Sequence, residues 1–408
     1  MSTTPAPALS GLLRPVLIRA ELNKDRPMLS RLKIPLIQAP MLGATGEAIA
    51  IAVSKAGGLG SFAAAGSTPQ QILDACATIR AATDAPFAVN IFVLEPANPD
   101  PQSVRIAMEL LAPWREKLGL PAQAVPNQWA PDTRAQLAAI TEAAPPVASF
   151  TFGCLKRADV AALQERGTFV IGTATTVAEA RAWQDAGADA ICAQGIEAGG
   201  HRGTFLDDMR SSMIGTMSLV RTIRAAVDLP VIAAGGVSDG EGIAAALMLG
   251  ADAVQVGTAY LLAEEAITPT PHRRAILEAG DDPTRLTRVV SGRFARGIDT
   301  AFMLEMERHE AVIPPYPVQN ALTGELRAAA TKAGDTDVMS LWAGQSVKLI
   351  SEGSAQTITQ RLWSDAQAVM RARTTRHAAN PAARSHGRRA GASGMRVSRP
   401  GTGPGSFE

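Results

Sequence analysis

The chain has 408 residues, a formal net charge of +1, and 46% hydrophobic residues. A chain of this length can bury a substantial core, and its balanced charge argues against nucleic acid or a membrane surface as its main partner. Its three cysteines lie far apart and form no CxxC pair, which excludes a zinc ribbon or a disulfide framework and favours a reducing, cytoplasmic setting.

The N-terminal segment, residues 1–30, is interpreted as an extension that precedes the folded domain. It contains no long apolar stretch of the kind found in secretory signals. Since the chain has no uninterrupted run of about 18 apolar residues, we expect no membrane span.

Apolar runs of strand length recur eight times, and most are continuous rather than alternating. They span residues 34–40, 58–62, 86–92, 147–152, 168–173, 188–194, 229–235 and 251–257. Helical segments between them cover residues 45–57, 68–83, 176–187, 218–228 and 239–250. Continuous apolar runs are typical of parallel strands that are covered on both faces. This alternation predicts an α/β fold, a (β/α)8 TIM barrel over residues 31–262, with a doubly wound open sheet as the alternative.

An internal repeat supports the barrel. Residues 178–195 align without gaps with residues 241–258, and both contain a helix, Gly-Ala-Asp-Ala, and then a strand. Gly187 and Gly250 occupy the same position at the helix end, where a left-handed backbone costs glycine little. Repetition of one supersecondary unit is expected of a closed barrel.

Three further segments depart from the barrel rhythm. The proline-rich stretch 93–146 predicts an excursion with one or two helices that could cover the barrel mouth. Residues 263–375 predict a smaller helical subdomain, or lid, that returns toward the barrel. Residues 376–408 are basic and rich in Gly, Pro, Ser and Ala, which is typical of a disordered tail.

Within the C-terminal third, the sequence predicts helices over residues 259–280 and 321–333. The stretches 291–299 and 313–320 have the composition of loops. His272 and His309 fall in this third, and we expect both at the surface without a role.

The ends of the predicted strands supply the candidate site, because barrel active sites form at the carboxyl ends of the strands. In chain order these residues are Ala39, Pro40, Met41, Asn90, Gln194, Gly235, Gly236, Gln255, Val256, Gly257 and Thr258. The Gly-Gly pair and the Gly-Thr pair follow the last two strands. Barrels commonly bind phosphate there, since backbone N–H groups and a helix N-terminus converge. A tight strand–helix connection is the alternative interpretation of the paired glycines.

The absence of two kinds of motif from the sequence limits the types of ligand that the site could bind. No GxxxxGK[ST] loop is present, which disfavours a nucleotide hydrolase. No acidic cluster suggests a metal site. A phosphate-bearing organic cofactor therefore fits best.

His201 is the only histidine of five in a glycine-rich stretch, QGIEAGGHRGTF, residues 194–205. Little side-chain bulk would let this loop approach a flat cofactor, and an imidazole can exchange a proton near neutrality. The alternative is a structural histidine at a strand end. Arg202 is expected to be solvated, while Glu197 either orients the loop or is solvated.

Several segments resemble nitronate monooxygenases, formerly called 2-nitropropane dioxygenases, from about residue 34 to about 360. The segments include PLIQAPMLGATGEAIAIAVSKAGGLGSF, AQGIEAGGHRGTF, LPVIAAGGVSDGEGIAAALMLGADAVQVGTAYL and SGRFARGI. The resemblance implies FMN as cofactor, with Ala39, Pro40 and Met41 lining the isoalloxazine ring. The family positions that hold FMN correspond to Asn90, Gln194, Gly199, Gly236, Gln255, Val256, Gly257 and Thr258. His201 corresponds to the catalytic histidine, and Phe294 is a departure, because relatives often carry proline there.

The resemblance implies oxidation of alkyl nitronates, and of nitroalkanes as a further option, by O2 to carbonyl compounds and nitrite. His201 would position or deprotonate the substrate. FMN-dependent enoyl-acyl-carrier-protein reductases share a similar GGH loop, and some relatives reduce quinones. An NAD(P)H-dependent FMN reductase is therefore one alternative, and a flavin- or phosphate-binding protein without turnover is another. No nucleic acid or membrane partner is expected. Assembly into a homodimer is an option that the sequence does not decide.

Overall fold

Eight parallel strands close into a barrel in the computed structural model, which describes residues 27–206 and 208–379. The strands of the described residues are β1 (Leu36–Gln38), β2 (Gly60–Ala63), β3 (Phe87–Phe92), β4 (Val147–Thr151), β5 (Phe169–Ala174), β6 (Ala190–Gln194), β7 (Gly200–His201), β8 (Val231–Ala234), β9 (Ala253–Val256), β10 (Thr284–Thr287) and β11 (Ala295–Ile298). Around the barrel the order is β1-β9-β8-β6-β5-β4-β3-β2. A parallel bridge between Ile37 and Leu59 joins β1 to β2 and completes the ring. The eight predicted strands and the TIM barrel are confirmed, and the open sheet is excluded.

Helices lie between the strands, as the alternation predicts. They are α1 (Pro27–Ser30), α2 (Glu47–Ala56), α3 (Pro69–Ala82), α4 (Pro101–Lys117), α5 (Thr133–Ala143), α6 (Arg157–Glu165), α7 (Val177–Ala186), α8 (Thr216–Ala226), α9 (Gly240–Met248), α10 (Thr270–Leu277), α11 (Ala301–Met306), α12 (Val318–Leu322), α13 (Gly324–Ala333) and α14 (Ala355–Ala379). Short 3-10 turns cover Thr258–Leu262, Glu307–Val312 and Val347–Leu349. No helix among the described residues is both long and apolar enough to cross a membrane.

Local sequence signals explain where these helices begin and end. Thr68 and Gln71 form a capping box at the start of α3, where Pro69 takes the first helical position. The repeat also holds, because Gly187 and Gly250 follow α7 and α9 with φ of 93° and 104°. Both values lie in the left-handed region that glycine adopts readily.

Alternation along the strands divides the core into two parts. Apolar residues that face inward fill the lower barrel, among them Ile37, Leu59, Ala88, Val147, Ile171, Cys192, Ile232 and Ala253. Outward-facing residues pack beneath the helices. Side chains on a strand return to the same face every second residue, so the next inward positions form the upper layer. That layer is polar and contains Asn90, Ser149, Thr173, Gln194 and Gln255.

The C-terminal third contains a small antiparallel sheet, in the order β10-β11-β7. Its register places Ala295 opposite His201 and Arg296 opposite Gly200. The prediction of a loop over residues 291–299 is therefore wrong for Ala295–Ile298. The pairing joins segments that are far apart in sequence, so no local sequence pattern predicts it.

The excursion and the C-terminal subdomain share a second hydrophobic cluster. The excursion holds two helices, as predicted, and its helix α4 contributes Leu111 and Trp114. The subdomain contributes Phe302 and Leu326 to the same cluster. The two segments thereby support one another beside the barrel.

Helix α14 occupies the place of the eighth barrel helix. It packs mainly against α9 and α2, and its side chains Ile358 and Leu362 belong to the layer between barrel and helices. It continues to Ala379, past the predicted start of the tail at residue 376. The rest of the predicted tail, residues 380–408, and most of the predicted N-terminal extension, residues 1–26, lie outside the described residues.

Candidate functional site

His201 lies above the carboxyl ends of the barrel strands, in the short strand β7. Its Nε2 is 2.8 Å from the hydroxyl oxygen of Ser291. The pKa of the imidazole is lowered to about 3, mainly by burial and also by the nearby guanidinium groups of Arg293 and Arg327. The side chain is therefore a neutral imidazole at neutral pH.

Three aromatic rings contact His201, and a fourth packs behind them. The rings of Phe152 and Tyr316 each lie 5.7 Å from the imidazole, centroid to centroid, and that of Trp342 lies 5.5 Å away. Phe92 packs on Phe152 at 4.1 Å. Phe152 itself has φ of 79°, a left-handed conformation that strains a bulky residue. The result is an aromatic enclosure around the imidazole.

Positive charge surrounds the same enclosure. The Arg293 guanidinium stacks on Phe152 at 4.0 Å and donates hydrogen bonds to the carbonyl oxygens of Arg202 and Thr204. Arg327 donates to Thr323 and Asn320. No ion pair among the described residues includes Arg293 or Arg327. Two largely buried cations that form no ion pair with a described carboxylate favour an anionic ligand.

Gln194 links the upper barrel layer to the His201 loop. Its side-chain N–H2 donates to the His201 carbonyl oxygen at 3.0 Å. Its Oε1 accepts from the Gly203 N–H at 2.7 Å. In the same layer Asn90 donates to the carbonyl and hydroxyl oxygens of Ser149, each at 3.0 Å. The predicted residues Asn90 and Gln194 thus lie at the mouth of the barrel.

Gly235 and Gly236 lie against the loop that precedes His201. Both have positive φ, 103° and 72°. A Cβ on Gly236 would be 2.8 Å from the Cβ of Glu197. Glu197 in turn accepts hydrogen bonds from the N–H and the hydroxyl of Thr216. It therefore orients the loop, one of the two alternatives that the sequence left open.

Gly199 contacts the C-terminal subdomain directly. A Cβ there would be 2.6 Å from the Ala343 carbonyl carbon and the Gly344 nitrogen. The Gly344 N–H donates to the Thr258 hydroxyl at 3.0 Å. A side chain at Gly199 would therefore push the loop away from the 343–344 segment, which is itself hydrogen-bonded to Thr258 after β9.

The first and last barrel strands meet beside this point. A Cβ on Gly257 would be 3.4 Å from the Cβ of Ala39 and 3.6 Å from the sulfur of Met41. Ala39, Pro40, Met41, Gln255 and Gly257 are half-buried. Val256 differs, because its side chain is fully buried beneath the helices and only its carbonyl reaches this region, where it accepts from the Ala39 N–H.

Two expectations about charged or titratable groups are wrong. Arg202 is 2% exposed rather than solvated, because the carbonyl oxygens of Gln194 and Ser212 accept its guanidinium hydrogens. His272 is 6% exposed rather than at the surface.

The structure adds residues that the sequence analysis missed: Phe152, Ser291, Arg293, Tyr316, Arg327 and Trp342. Ser291 and Arg293 stood in the noted SGRFARGI segment, which was the available signal for them. Tyr316 and Trp342 reach His201 only through tertiary packing, and no local pattern marks them.

Comparison with known proteins gives consistent matches over most of the chain. The family model described as nitronate monooxygenase matches residues 26–365. A probable nitronate monooxygenase of Staphylococcus aureus strain MSSA476 is 39% identical over 351 residues, which cover 85% of this chain and 99% of that protein. A crystal structure of nitroalkane oxidase from Streptomyces ansochromogenes aligns with a TM-score of 0.79 and 39% identity, covering 84% of this chain and 98% of that one. FabK from Thermotoga maritima aligns with a TM-score of 0.67 and 28% identity, covering 86% and 98%.

Proposed function

The chain belongs to the nitronate monooxygenase family, and on that premise we propose that it is an FMN-dependent enzyme that oxidises alkyl nitronates with O2 to carbonyl compounds and nitrite. One observation carries the proposal: a neutral histidine stands above the barrel mouth, among aromatic rings and beside two arginines that form no ion pair with a described residue. This combination suits a small anionic organic substrate. The nitroalkane oxidase that aligns with the chain supports a nitro compound as the substrate.

The residues at the ends of β8 and β9 fit the phosphate of FMN. Gly235 and Gly236 leave a surface without side chains, and a Cβ would collide there with the 197–198 segment. Among the described residues, the backbone N–H groups of Gly236 and Gly257 donate to no other backbone group. Free N–H groups on glycine backbone, where no side chain blocks the approach, are typical donors of phosphate-binding sites.

The remaining predicted cofactor residues fit the flavin ring and its polar edge. Asn90 and Gln194 offer amide groups from the polar barrel layer. Ala39, Pro40 and Met41 follow the first strand and present half-buried apolar surface next to Gly257. Bound there, FMN would supply the electron transfer that side chains cannot perform.

The chain's own residues would bind and orient the substrate. Arg293 and Arg327 would attract the nitronate anion, and the aromatic enclosure would exclude water from it. His201 would hydrogen-bond the nitro group or accept the α-proton of a nitroalkane. A neutral imidazole serves both purposes, since it carries one donor and one acceptor nitrogen.

The second candidate is an NAD(P)H-dependent FMN reductase of quinones or enoyl thioesters, which the shared GGH loop supports. An anaerobic titration of the purified holoprotein separates the two by visible flavin absorbance. We expect propionate-3-nitronate to bleach the flavin rapidly and NADH to do so slowly or not at all. Rapid bleaching by NADH together with no response to any nitronate would establish the reductase instead.

Two further parts of the proposal concern the cellular compartment and the oligomeric state. The three cysteines are free thiols, which suits the reducing cytoplasm. A homodimer is compatible with the fold, and light scattering of the holoprotein measures it.

A further inference from the structure

The hydroxyl of Ser291 is the hydrogen-bond partner of His201. Ser291 stands 90 residues further along the chain, yet its Oγ is 2.8 Å from Nε2. The pairing of β7 with β11 holds the two segments together, and Ser291 is only 1% exposed. The contact is thus built by the fold and shielded from competing water.

The other hydrogen bonds of Ser291 indicate whether Ser291 or His201 is the donor in the bond between them. Its hydroxyl donates to the Arg293 carbonyl oxygen at 3.1 Å and accepts from the Arg293 N–H at 3.4 Å. A serine hydroxyl has one hydrogen and two lone pairs. With that hydrogen assigned to the Arg293 carbonyl oxygen, which has no other donor among the described residues, the Ser291 oxygen is left to accept from His201. Reversing the donor would deprive the Arg293 carbonyl of its hydrogen bond.

This assignment of the serine hydrogen places the proton of His201 on Nε2. A neutral imidazole carries one proton, so Nδ1 keeps its lone pair. Nδ1 makes no hydrogen bond to a described protein group, whereas Nε2 is committed to Ser291. The nitrogen that remains available to a substrate is the acceptor.

We propose that Ser291 is a positioning residue that fixes His201 as the Nε2–H tautomer and makes Nδ1 the acceptor of the α-proton of a neutral nitroalkane. This inference rests on the proposed function, in which His201 accepts the α-proton of a nitroalkane, and it names the nitrogen atom that does so and the residue that orients it. In the step, the substrate C–H bond breaks and an Nδ1–H bond forms. The electron pair of the C–H bond stays with the substrate, which becomes the nitronate.

The charges around the site favour a proton transfer that creates a cation and an anion together. Arg293 and Arg327 oppose an imidazolium while the site holds no anion. Proton transfer creates the imidazolium and the nitronate together, so each new charge faces an opposite one. The bond from Nε2–H to Ser291 also strengthens when the ring becomes cationic.

The tautomer can be read directly by NMR of holoprotein labelled with ¹⁵N-histidine. Long-range ¹H–¹⁵N correlations near neutral pH distinguish a protonated Nε2 from a protonated Nδ1, and His201→Asn assigns the signal. We expect His201 to be protonated on Nε2, and Ser291→Ala to give a mixture of tautomers. A native His201 protonated on Nδ1 or on both nitrogens, or an unchanged tautomer in Ser291→Ala, overturns the assignment.

Kinetics separate positioning from general support of the fold. Ser291→Ala should lower kcat with a neutral nitroalkane by about tenfold to a hundredfold, and with the matching nitronate by less than about threefold. Ser291→Thr, which keeps the hydroxyl, should recover part of the loss. The control Ser340→Ala removes a buried hydroxyl without a protein partner and should change neither rate. An equal fall with both substrates refutes the proposal.

Failure of the proposed function would look different. A native holoprotein that oxidises neither substrate contradicts the proposed activity, and the proton-acceptor role with it. The NMR spectrum then still decides whether Ser291 sets the tautomer of His201.

Discussion

The side-chain amide of Gln194 donates a hydrogen bond to the carbonyl oxygen of His201 at 3.0 Å, so the last residue of β6 fixes the backbone of the histidine loop. The same amide accepts from the Gly203 N–H and thereby spans the loop from both sides. The barrel wall and the histidine are coupled through this one side chain.

Replacing Gln194 should therefore misplace His201. Gln194→Ala leaves the Gly203 N–H without its acceptor, a loss of about 1–3 kcal/mol. We expect kcat to fall by at least about tenfold, with weaker flavin binding, as measured by steady-state kinetics and flavin titration. The matched control is Gln70→Ala on the exposed face of α3, which should change neither quantity.

Substitution of Gly236 should weaken FMN binding. In Gly236→Ala, the new methyl group would be 2.8 Å from the Cβ of Glu197, at a backbone with φ of 72°. The left-handed conformation alone costs about 1–2 kcal/mol. Fluorescence titration with FMN should show an affinity reduced by about tenfold or more.

The control for that experiment is Gly324→Ala. A Cβ at Gly324 meets nothing within 4 Å and needs no positive φ. Equal FMN affinity of both variants would contradict the location of the phosphate site.

Arg327 should contribute to the binding of anionic substrates. In Arg327→Met the buried cation is removed while the aliphatic volume is kept. We expect KM for a nitronate to rise by about tenfold, equivalent to roughly 1.4 kcal/mol, and KM for a neutral nitroalkane to change less. Arg308→Met, at an exposed position, is the control. An equal effect on both substrates would show that Arg327 acts on packing rather than charge.

Acid should destabilise the protein partly through His201. Its folded-state pKa of about 3 lies below the 6.5 of an exposed imidazole, so between these values the unfolded chain binds more protons. Stability is thus complete above pH 6.5 and falls as the pH drops toward 3. Within that window this one group costs up to about 1.4 kcal/mol per pH unit.

Denaturant unfolding at pH 7 and pH 5 tests this dependence. His201→Asn should lose less stability than the native protein on acidification. His272, whose pKa burial lowers to about 4, is present in both proteins and cancels in the comparison. Identical losses would show that His201 is solvated in the folded state.

Helix α14 should be essential to the stability of the barrel. Ile358 is fully buried against the layer beneath the helices, so Ile358→Ala should cost about 2–5 kcal/mol by denaturant unfolding. Gln360→Ala, on the exposed side of the same helix, should cost less than about 0.5 kcal/mol. Near-equal losses would contradict the packing of α14 on the barrel.

The barrel could be predicted from sequence because its physics is local. A parallel strand between two helical layers must be apolar on both faces, and a site at the strand ends follows from the topology. The positions of Asn90, Gln194 and the glycines at the carboxyl ends of the strands were predicted in this way.

The rest of the site depends on non-local contacts. Ser291 reaches His201 through antiparallel pairing with a two-residue strand, and neither partner has a recognisable strand pattern. Arg202 is buried because two backbone carbonyl oxygens happen to face it. A sequence pattern records which residues are charged, but not which carbonyl groups will satisfy them.

The position of α14 has a consequence for synthesis of the protein. Helix α14 packs between α9 and α2 on the outside of the barrel. In the sequence, however, residues 263–354 lie between the region of the last barrel strand, β9, and this helix. On the ribosome, a nascent chain that has delivered every barrel strand still exposes the apolar seam that Ile358 and Leu362 later cover. Until the final helix emerges, that seam is a binding surface for chaperones and a starting point for aggregation.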